Sequence, residues 1–371
     1  MQPDILITFV VTEEWLDLGF EPKLDNIHFA TIPNVIPFEI GRGVDFPGFL
    51  EATLTKMEGP FERLLDRLEP PKPSIIIYDT YLGWVVGVGN RRNIPVASLF
   101  TMPTSMFTVF YHFDLLVQNG HFSADVSETT IPEFHRHEWQ IFQQSFTVMA
   151  LKFCIKPWKP FHPCQKHNIF YSLPSTSLNP ISLTLLRQIL ASPYTLIGPT
   201  IPYYKLEESC CVITIGDNND INYVQWLDSQ PKASVLFMSQ GSFLSVSKAQ
   251  MDEIIYGVCG SGVRFLWVAR GEISRIKNGC GDKGLAVPFC DQLKVLCHSS
   301  VGGFWSHCGW NSTKEGVFAG LPFLTYPTFW DQIPNSKTIV EDWKIGWEVR
   351  SGMGADEHFV ISLFRSIIIA P

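Results

Sequence analysis

The feature that most constrains this chain is the regular alternation of short apolar runs with helix-like stretches in its second half. The β-rich runs SVLFMSQGS, VRFLWVA, VGGFWSHC and PFLTYP are separated by such stretches, and the connections are only a few residues long. This alternation is typical of a parallel sheet with helices on both faces, because each parallel neighbour needs a crossover connection. We therefore predict a doubly wound, Rossmann-like domain over residues 221–358.

The first half of the chain shows the same α/β pattern. The runs ILITFVV, NIHFATIP, SIIIYD and IPVASLF predict four short strands. A long amphipathic stretch between the second and third runs predicts a helix. A mostly parallel sheet with helices is the arrangement that such an order favours.

These patterns also predict the domain boundaries. Residues 1–198 are expected to form a first Rossmann-like domain, and the polar, irregular residues 199–220 a linker. Residues 133–198 show no clear period and are expected to be irregular. The final residues, 359–371, form an apolar segment for which the pattern predicts no designed element.

Composition narrows the classes of function. The chain has 371 residues, 46% of them hydrophobic, which is enough for two hydrophobic cores. Its net charge is −8 and it has no basic cluster, which argues against nucleic acid as a partner. The apolar runs are far below the roughly 20 residues that span a bilayer, and the start lacks the features of a signal peptide. Nine cysteines without framework spacing are expected to be reduced. We expect the protein to be cytoplasmic and monomeric.

The stretch HCGWNSTKEG, residues 307–316, carries the densest set of polar and aromatic side chains. It follows a strand, turns at Gly309 and opens a helix, so it is expected at the carboxyl edge of the sheet, where ligands of doubly wound folds bind. The first turn of a helix offers free N–H groups and a positive dipole end, which suit a phosphate. Asn311 and Ser312 would add side-chain donors there, and His307 a further one. The stretch therefore predicts a nucleotide-phosphate site.

Structural alternatives stand beside this interpretation. Ser312 and Glu315 have the spacing of a capping box, and Trp310 alone is more often a packing residue. Asp331 and Gln332 follow the next strand and could bind sugar hydroxyls, although Asp331 could equally cap its own helix. Both alternatives stay open on spacing alone.

Phe289 and Gln292 precede the same strand–helix unit. An aromatic side chain at that place could stack on a nucleobase, whereas taken alone Phe289 is more often a core residue.

Three further motifs do not predict a function. Gly279–Gly284 matches G-x-G-x-x-G, but a strand-like run follows it where the dinucleotide fingerprint needs a helix. A set of cysteines and histidines lacks the close paired spacing of a zinc site; it comprises Cys290, Cys297, His298, His307 and Cys308. A G-x-S-x-G nucleophile elbow is not in the sequence, so an esterase is not supported.

The 44 residues from Phe289 to Gln332 resemble the signature box of the plant secondary-product glycosyltransferases, the UDP-sugar-dependent enzymes of family 1, without insertion or deletion. The likeness extends over most of the chain and fails in the irregular middle and at the apolar end. The resemblance implies a GT-B fold, in which two Rossmann-like domains face each other across a cleft. The second domain would hold the UDP-sugar and the first the acceptor, with no cofactor and no metal.

The resemblance also implies a role for each box residue. Phe289 would stack on uracil with Gln292 beside it, and Glu315 would bind the ribose hydroxyls. The diphosphate would be held by His307, Asn311, Ser312 and Ser242. The sugar would contact Trp310, Asp331, Gln332 and, from the first domain, Thr101. Phe289 replaces the family's usual tryptophan, which loses stacking area and weakens donor binding by roughly 1 kcal/mol.

The chemistry that the resemblance implies is a direct, inverting displacement at the anomeric carbon. In the family a histidine base takes the acceptor's proton and an aspartate orients the histidine. Asp79 matches the aspartate. The histidine belongs to a Gly-His-x-x-Pro loop, and none of the ten histidines stands in that context. The chain begins at what resembles the family's second strand, so the first domain is expected to lack one strand and its helix.

Three hypotheses of function follow. The first is transfer of a sugar, with glucose favoured by the glutamine at the end of the box, to a small hydroxylated acceptor such as a flavonol. The second is a UDP-sugar-binding remnant without a general base. The third, a nicotinamide-dependent dehydrogenase, rests on the Rossmann pattern alone and lacks its fingerprint.

Overall fold

The computed structural model describes residues 5–17, 26–36, 45–111, 115, 118–119, 168–171, 194–196, 200–201, 206, 222–241, 248–269, 273–280, 283–328 and 331–349. These residues separate into two compact units. The first unit contains the described residues up to 196, and the second contains those from 200 onward. Parallel strands form the framework of each unit.

In the first unit, the four apolar runs form strands as the sequence predicts, and two further strands follow them. The strands are β1 (Ile7–Thr12), β2 (Ile27–Ile32), β3 (Ile76–Asp79), β4 (Val96–Phe100), β5 (Asn168–Tyr171) and β6 (Tyr194–Leu196). The helices are α1 (Glu13–Asp17), α2 (Phe46–Thr55), α3 (Glu58–Arg67), α4 (Trp84–Arg92) and α5 (Thr104–Tyr111). β1 pairs with β2, and β3, β4, β5 and β6 form a second parallel sheet in that order.

The predicted helical stretch between β2 and β3 is two helices rather than one. Asp45 caps α2, because its Oδ1 accepts from the Gly48 backbone N–H at 3.0 Å. The helix ends at Thr55, Lys56 and Met57 lie between the two helices, and α3 begins at Glu58. Pro60 explains the restart, since a proline without an N–H fits the first turn of a helix but not its interior.

The expectation of irregular structure over residues 133–198 is wrong at two places. Asn168–Tyr171 forms β5 and Tyr194–Leu196 forms β6, both in register with the parallel sheet of the first unit. Strands of three or four residues in a parallel sheet need no alternation of polar and apolar residues, so they leave no readable period. The other residues of that segment lie outside the described ranges.

The second unit is the doubly wound sheet that the alternation predicts. Its strands are β7 (Val235–Ser239), β8 (Arg264–Val268), β9 (Gly284–Val287), β10 (Val301–Ser306), β11 (Phe323–Thr325) and β12 (Gly346–Glu348). Its helices are α6 (Tyr223–Asp228), α7 (Lys248–Ser261), α8 (Ile273–Cys280), α9 (Gln292–Leu296), α10 (Trp310–Phe318) and α11 (Gln332–Lys337), which continues as a π-helical turn (Thr338–Asp342). The strands pair in parallel in the order β12, β11, β10, β7, β8, β9.

Both faces of this sheet are covered. Leu236 and Met238 of β7 belong to an apolar cluster that includes residues of α7 and α8. Val235 and Phe237 of the same strand belong to a second cluster, which includes residues of α6 and α9. Since successive side chains of a strand point to opposite faces, the uninterrupted apolar run of β7 is what a central parallel strand requires.

Two smaller expectations can be compared with the structure. The G-x-G-x-x-G match begins in the last turn of α8 and ends where β9 starts, so the order of elements is not that of a dinucleotide site. Cys290, Cys297 and Cys308 are free thiols, but the expectation of reduced cysteines is wrong at Cys259, which is disulfide-bonded. None of the helices in the described ranges is long and apolar enough to cross a bilayer.

Candidate functional site

The turn from β10 into α10 forms the centre of the candidate site. β10 ends at Ser306, the residues His307 to Gly309 turn the chain, and α10 begins at Trp310. Cys308 takes a left-handed backbone conformation, with φ of 66°, and its N–H donates to Ser306 Oγ at 3.0 Å. The His307 N–H donates to the Ser239 carbonyl at 3.3 Å, which ties the turn to the end of β7. The turn therefore lies at the carboxyl edge of the sheet.

The His307 imidazole sits tightly between two glycines. A Cβ atom at Gly241 would lie 2.8 Å from His307 Nε2, and one at Gly309 would lie 2.5 Å from it, so neither position has room for a side chain. Burial lowers the pKa of His307 to about 4, so the ring is neutral at physiological pH. Its Nδ1 is buried and has no hydrogen-bond partner among the described residues. A neutral imidazole can donate one hydrogen bond without taking up an additional proton.

The capping-box interpretation of Ser312 and Glu315 is wrong. Gly309 is the N-cap residue, so Ser312 is already the third residue of α10. The Gln292 side-chain amide of α9 donates instead to both residues: its Nε2 lies 3.0 Å from Ser312 Oγ and 2.7 Å from Glu315 Oε2. These three polar side chains form one cluster between α9 and α10.

Phe289 lies just before this cluster and keeps 41% of its surface exposed. The interpretation as a core residue is therefore wrong. Asp291 caps α9 through its Oδ1, which accepts from the Lys294 N–H at 3.2 Å, and so fixes the chain next to Phe289. An accessible ring next to a cluster of an amide, a hydroxyl and a carboxylate is suited to a base and its ribose.

Asp331 is buried and does not cap its own helix, so that alternative is also wrong. Its Oδ2 accepts from Asn335 Nδ2 at 2.9 Å, and its carboxylate also accepts from the Trp310 backbone N–H. Burial raises the pKa of Asp331 to about 6, against the effect of these hydrogen bonds. Asn335 Nδ2 donates in addition to the Cys308 carbonyl at 2.9 Å. Asp331 thus connects α11 to the start of α10.

The remaining predicted residues of the second unit surround this network. The Trp310 side chain is buried, and its Nε1 has no acceptor among the described residues, whereas Asn311 is exposed in the first turn of α10. Gln332 Oε1 accepts from the backbone N–H and the hydroxyl of Thr328, at 2.9 and 3.0 Å. Ser242 lies outside the described residues.

Two predicted residues belong to the first unit. Asp79 ends β3, and its Oδ1 accepts from the Tyr81 backbone N–H at 2.9 Å. Its side chain keeps contact with solvent, yet the surrounding protein desolvates it enough to raise the pKa of the carboxyl above its ordinary value. Thr101 is half-buried directly after β4. Both residues lie at the carboxyl ends of neighbouring parallel strands.

One residue of the site was not singled out from the sequence. Asn335 follows Asp331 by four positions, which places the two side chains on the same face of a helix, and this spacing is the signal that could have found it. The Cys and His side chains considered as a metal set do not converge, since no group of three or more such ligands occurs in the described ranges.

Comparisons with known proteins agree with this geometry. A family model described as UDP-glucoronosyl and UDP-glucosyl transferase matches residues 212–356. UDP-glycosyltransferase 87A2 of Arabidopsis thaliana is 45% identical over 365 residues, covering 94% of this chain and 76% of that protein. UDP-glycosyltransferase 87A1 of the same plant is 44% identical over 361 residues, covering 93% of this chain and 78% of that protein.

Solved structures share the fold at lower identity. The crystal structure of Os79 from O. sativa in complex with UDP aligns with a TM-score of 0.76 at 22% identity, covering 98% of this chain and 85% of that one. The structure of TcCGT1 in complex with UDP gives 0.76 at 19% identity, covering 98% and 83%. The predicted GT-B type of α/β fold is confirmed by these likenesses and by the parallel sheets.

Proposed function

The chain belongs to the plant family 1 UDP-glycosyltransferases, which transfer a sugar from a UDP-sugar, and we propose that its donor is UDP-glucose and its acceptor a hydroxyl of a small plant metabolite such as a flavonol. The observation that carries the donor site is the cluster in which Gln292, three residues after the exposed Phe289 in the chain, bridges Ser312 and Glu315. The glutamine at position 332 favours glucose. The cytoplasmic location and the monomeric state stay predictions.

In the proposed complex the uridine lies against α9 and α10. Phe289 stacks on the uracil ring, and Gln292 lies beside it. Glu315 binds the ribose hydroxyls, because a carboxylate accepts from both of them. The bond from Gln292 to Glu315 supports this role, since it holds the carboxylate in place before the ligand arrives.

The diphosphate is proposed to lie at the first turn of α10. Asn311 and Ser312 donate to its oxygens from that turn, together with Ser242. His307 donates from a neutral ring, and its lowered pKa supports this, because the hydrogen bond then does not depend on an additional proton. Trp310, Asp331, Gln332 and Thr101 are proposed to contact the sugar.

The proposed chemistry is a direct displacement that inverts the anomeric carbon. The acceptor oxygen attacks this carbon and the bond to the UDP oxygen breaks. In the family a histidine that the aspartate at the Asp79 position orients takes the acceptor's proton; these 371 residues contain no Gly-His-x-x-Pro loop, so here the proton passes to water. The raised pKa of the Asp79 carboxyl supports a role in chemistry, since perturbed acids gather at functional sites. The alternative is that these 371 residues bind a UDP-sugar without using it, because they contain no Gly-His-x-x-Pro loop.

The test is release of UDP from UDP-glucose by the purified chain, with and without a flavonol. Release that needs the flavonol and falls in Asp79→Asn supports the transferase. Calorimetric binding of UDP-glucose without release of UDP supports the binding-only alternative. Neither binding nor release would contradict both, and Asp342→Asn, an exposed acid of the second unit, serves as the matched control.

A further inference from the structure

Asn335 uses its side-chain amide to join two parts of the candidate site. It lies in α11 with only 3% of its surface exposed. Its Nδ2 donates to the Cys308 carbonyl at 2.9 Å and to Asp331 Oδ2 at 2.9 Å. One nitrogen therefore satisfies a backbone acceptor of the β10–α10 turn and the carboxylate proposed to contact the sugar.

The acceptor at Cys308 belongs to a strained part of the backbone. Its φ of 66° is the left-handed conformation, which residues other than glycine disfavour. Such a conformation persists where the surrounding structure fixes it. Here the Cys308 N–H is bound to Ser306 Oγ and its carbonyl to Asn335, so both sides of the residue are held.

The second bond of Asn335 closes a ring of contacts. Asp331 accepts from Asn335 and from the Trp310 backbone N–H, and Trp310 is the first residue of α10. The ring thus runs from Cys308 through Asn335 and Asp331 to Trp310. The ring encloses the segment from Cys308 to Trp310, and His307, whose imidazole fits between Gly241 and Gly309, directly precedes it.

We propose that Asn335 is a positioning residue of the donor site, which holds the His307–Gly309 turn and the Asp331 carboxylate in the relative position that a UDP-sugar requires. This inference rests on the proposed function. An asparagine suits the task because its amide donates two hydrogen bonds, whereas an aspartate of the same shape only accepts. The residue acts through its neighbours and need not touch the ligand.

The ionisable groups around this network allow a clear pH test. Burial lowers the pKa of His307 and raises that of the Cys308 thiol, so both stay neutral in the neutral pH range. The negative charges that act on Cys308 are those of Asp331 and of Glu348 on β12. Asp331 is therefore the group of the network that titrates near neutral pH.

The experiment measures the affinity of the full chain for UDP-glucose by calorimetry at about pH 8 and about pH 6, in wild type and in Asn335→Asp. We expect Asn335→Asp to lose about tenfold or more in affinity at the higher pH, because two carboxylates then face each other and the Cys308 carbonyl loses its donor. At the lower pH a proton shared between the carboxyls restores one donor, and we expect most of the affinity to return.

The controls separate this role from a general loss of stability. Ser261→Ala removes a buried hydroxyl of the second unit, 4% exposed, whose Oγ donates to the Val258 carbonyl at 2.6 Å, and it should leave the affinity and its pH dependence unchanged. An Asn335→Asp variant with wild-type affinity at both pH values, or with a loss that is equal at both, overturns the inference. Wild type that does not bind UDP-glucose would instead overturn the proposed function.

A second pair of variants covers the case in which Asn335→Asp does not fold. Glycine adopts the left-handed conformation without strain, so Cys308→Gly should make the turn less dependent on its donor. We expect Asn335→Ala to lose less affinity in the Cys308→Gly background than in wild type. Equal losses in the two backgrounds would show that the turn does not depend on Asn335.

Discussion

Replacing Asp331 by asparagine should stabilise the second unit while it weakens sugar binding. The carboxyl is buried, and its pKa rises from 3.8 to about 6. A rise of this size corresponds to about 3 kcal/mol of penalty on the charged form. Asparagine keeps the shape and removes the charge, so we expect a gain of about 1–3 kcal/mol at neutral and higher pH.

The pH dependence of this gain follows from the sign of the shift. The folded carboxyl holds its proton more tightly than the unfolded one, so protonation stabilises the fold below pH 3.8 and this contribution is lost as the pH rises through about 6. Asp331→Asn should therefore be more stable than wild type near pH 8, and the difference should vanish near pH 4.

Scanning calorimetry of the full chain at these two pH values measures the effect. A gain of about 1–3 kcal/mol raises the melting temperature of a unit of this size by roughly 3–9 °C. Asp342→Asn, an exposed acid close in sequence, should show no such pH-dependent gain. If Asp331→Asn is less stable than wild type near pH 8, the bonds from Asn335 and Trp310 outweigh desolvation and the reasoning is refuted.

Three further predictions concern binding and turnover. Phe289→Trp should raise the affinity for UDP about fivefold in calorimetry, since the larger ring adds roughly 1 kcal/mol of stacking, and unchanged affinity would show that the ring does not meet the base. Gly309→Ala should reduce UDP affinity about tenfold or more, because its Cβ would lie 2.5 Å from His307 Nε2. Gly303→Ala, whose Cβ would lie 3.5 Å from its nearest atom, should leave the affinity unchanged. Equal affinities of the two variants would contradict the packing argument. Asp79→Asn should lower the rate of transfer in a UDP-release assay and leave UDP binding intact, and an unchanged rate would remove Asp79 from the chemistry.

The sequence predicted the second unit well because its strand-like runs and helix-like stretches alternate regularly. The runs that became β7, β8 and β10 are continuous and apolar, and the helices between them are bounded by short connections. The first unit was predicted less fully. The strands Asn168–Tyr171 and Tyr194–Leu196 are too short to leave a period, and their pairing depends on distant residues.

The candidate site was predicted as a set of residues but not as a network. Spacing favoured a capping box at Ser312 and Glu315, yet Gln292, twenty residues earlier than Ser312, binds both. A local pattern contains no information on such a tertiary partner. The same limit applies to Asn335, whose bond to the Cys308 carbonyl spans 27 residues and depends on how α11 packs against the turn.

The most direct test of the account is a calorimetric titration of UDP into the full chain and into Glu315→Ala. The account predicts a dissociation constant on the order of micromolar for wild type, at least about tenfold weaker binding for Glu315→Ala, and little binding of ADP by either protein. Absence of UDP binding, or equal affinity for UDP in the two proteins, would contradict the claim that the cluster of Gln292, Ser312 and Glu315 belongs to a nucleotide-sugar site.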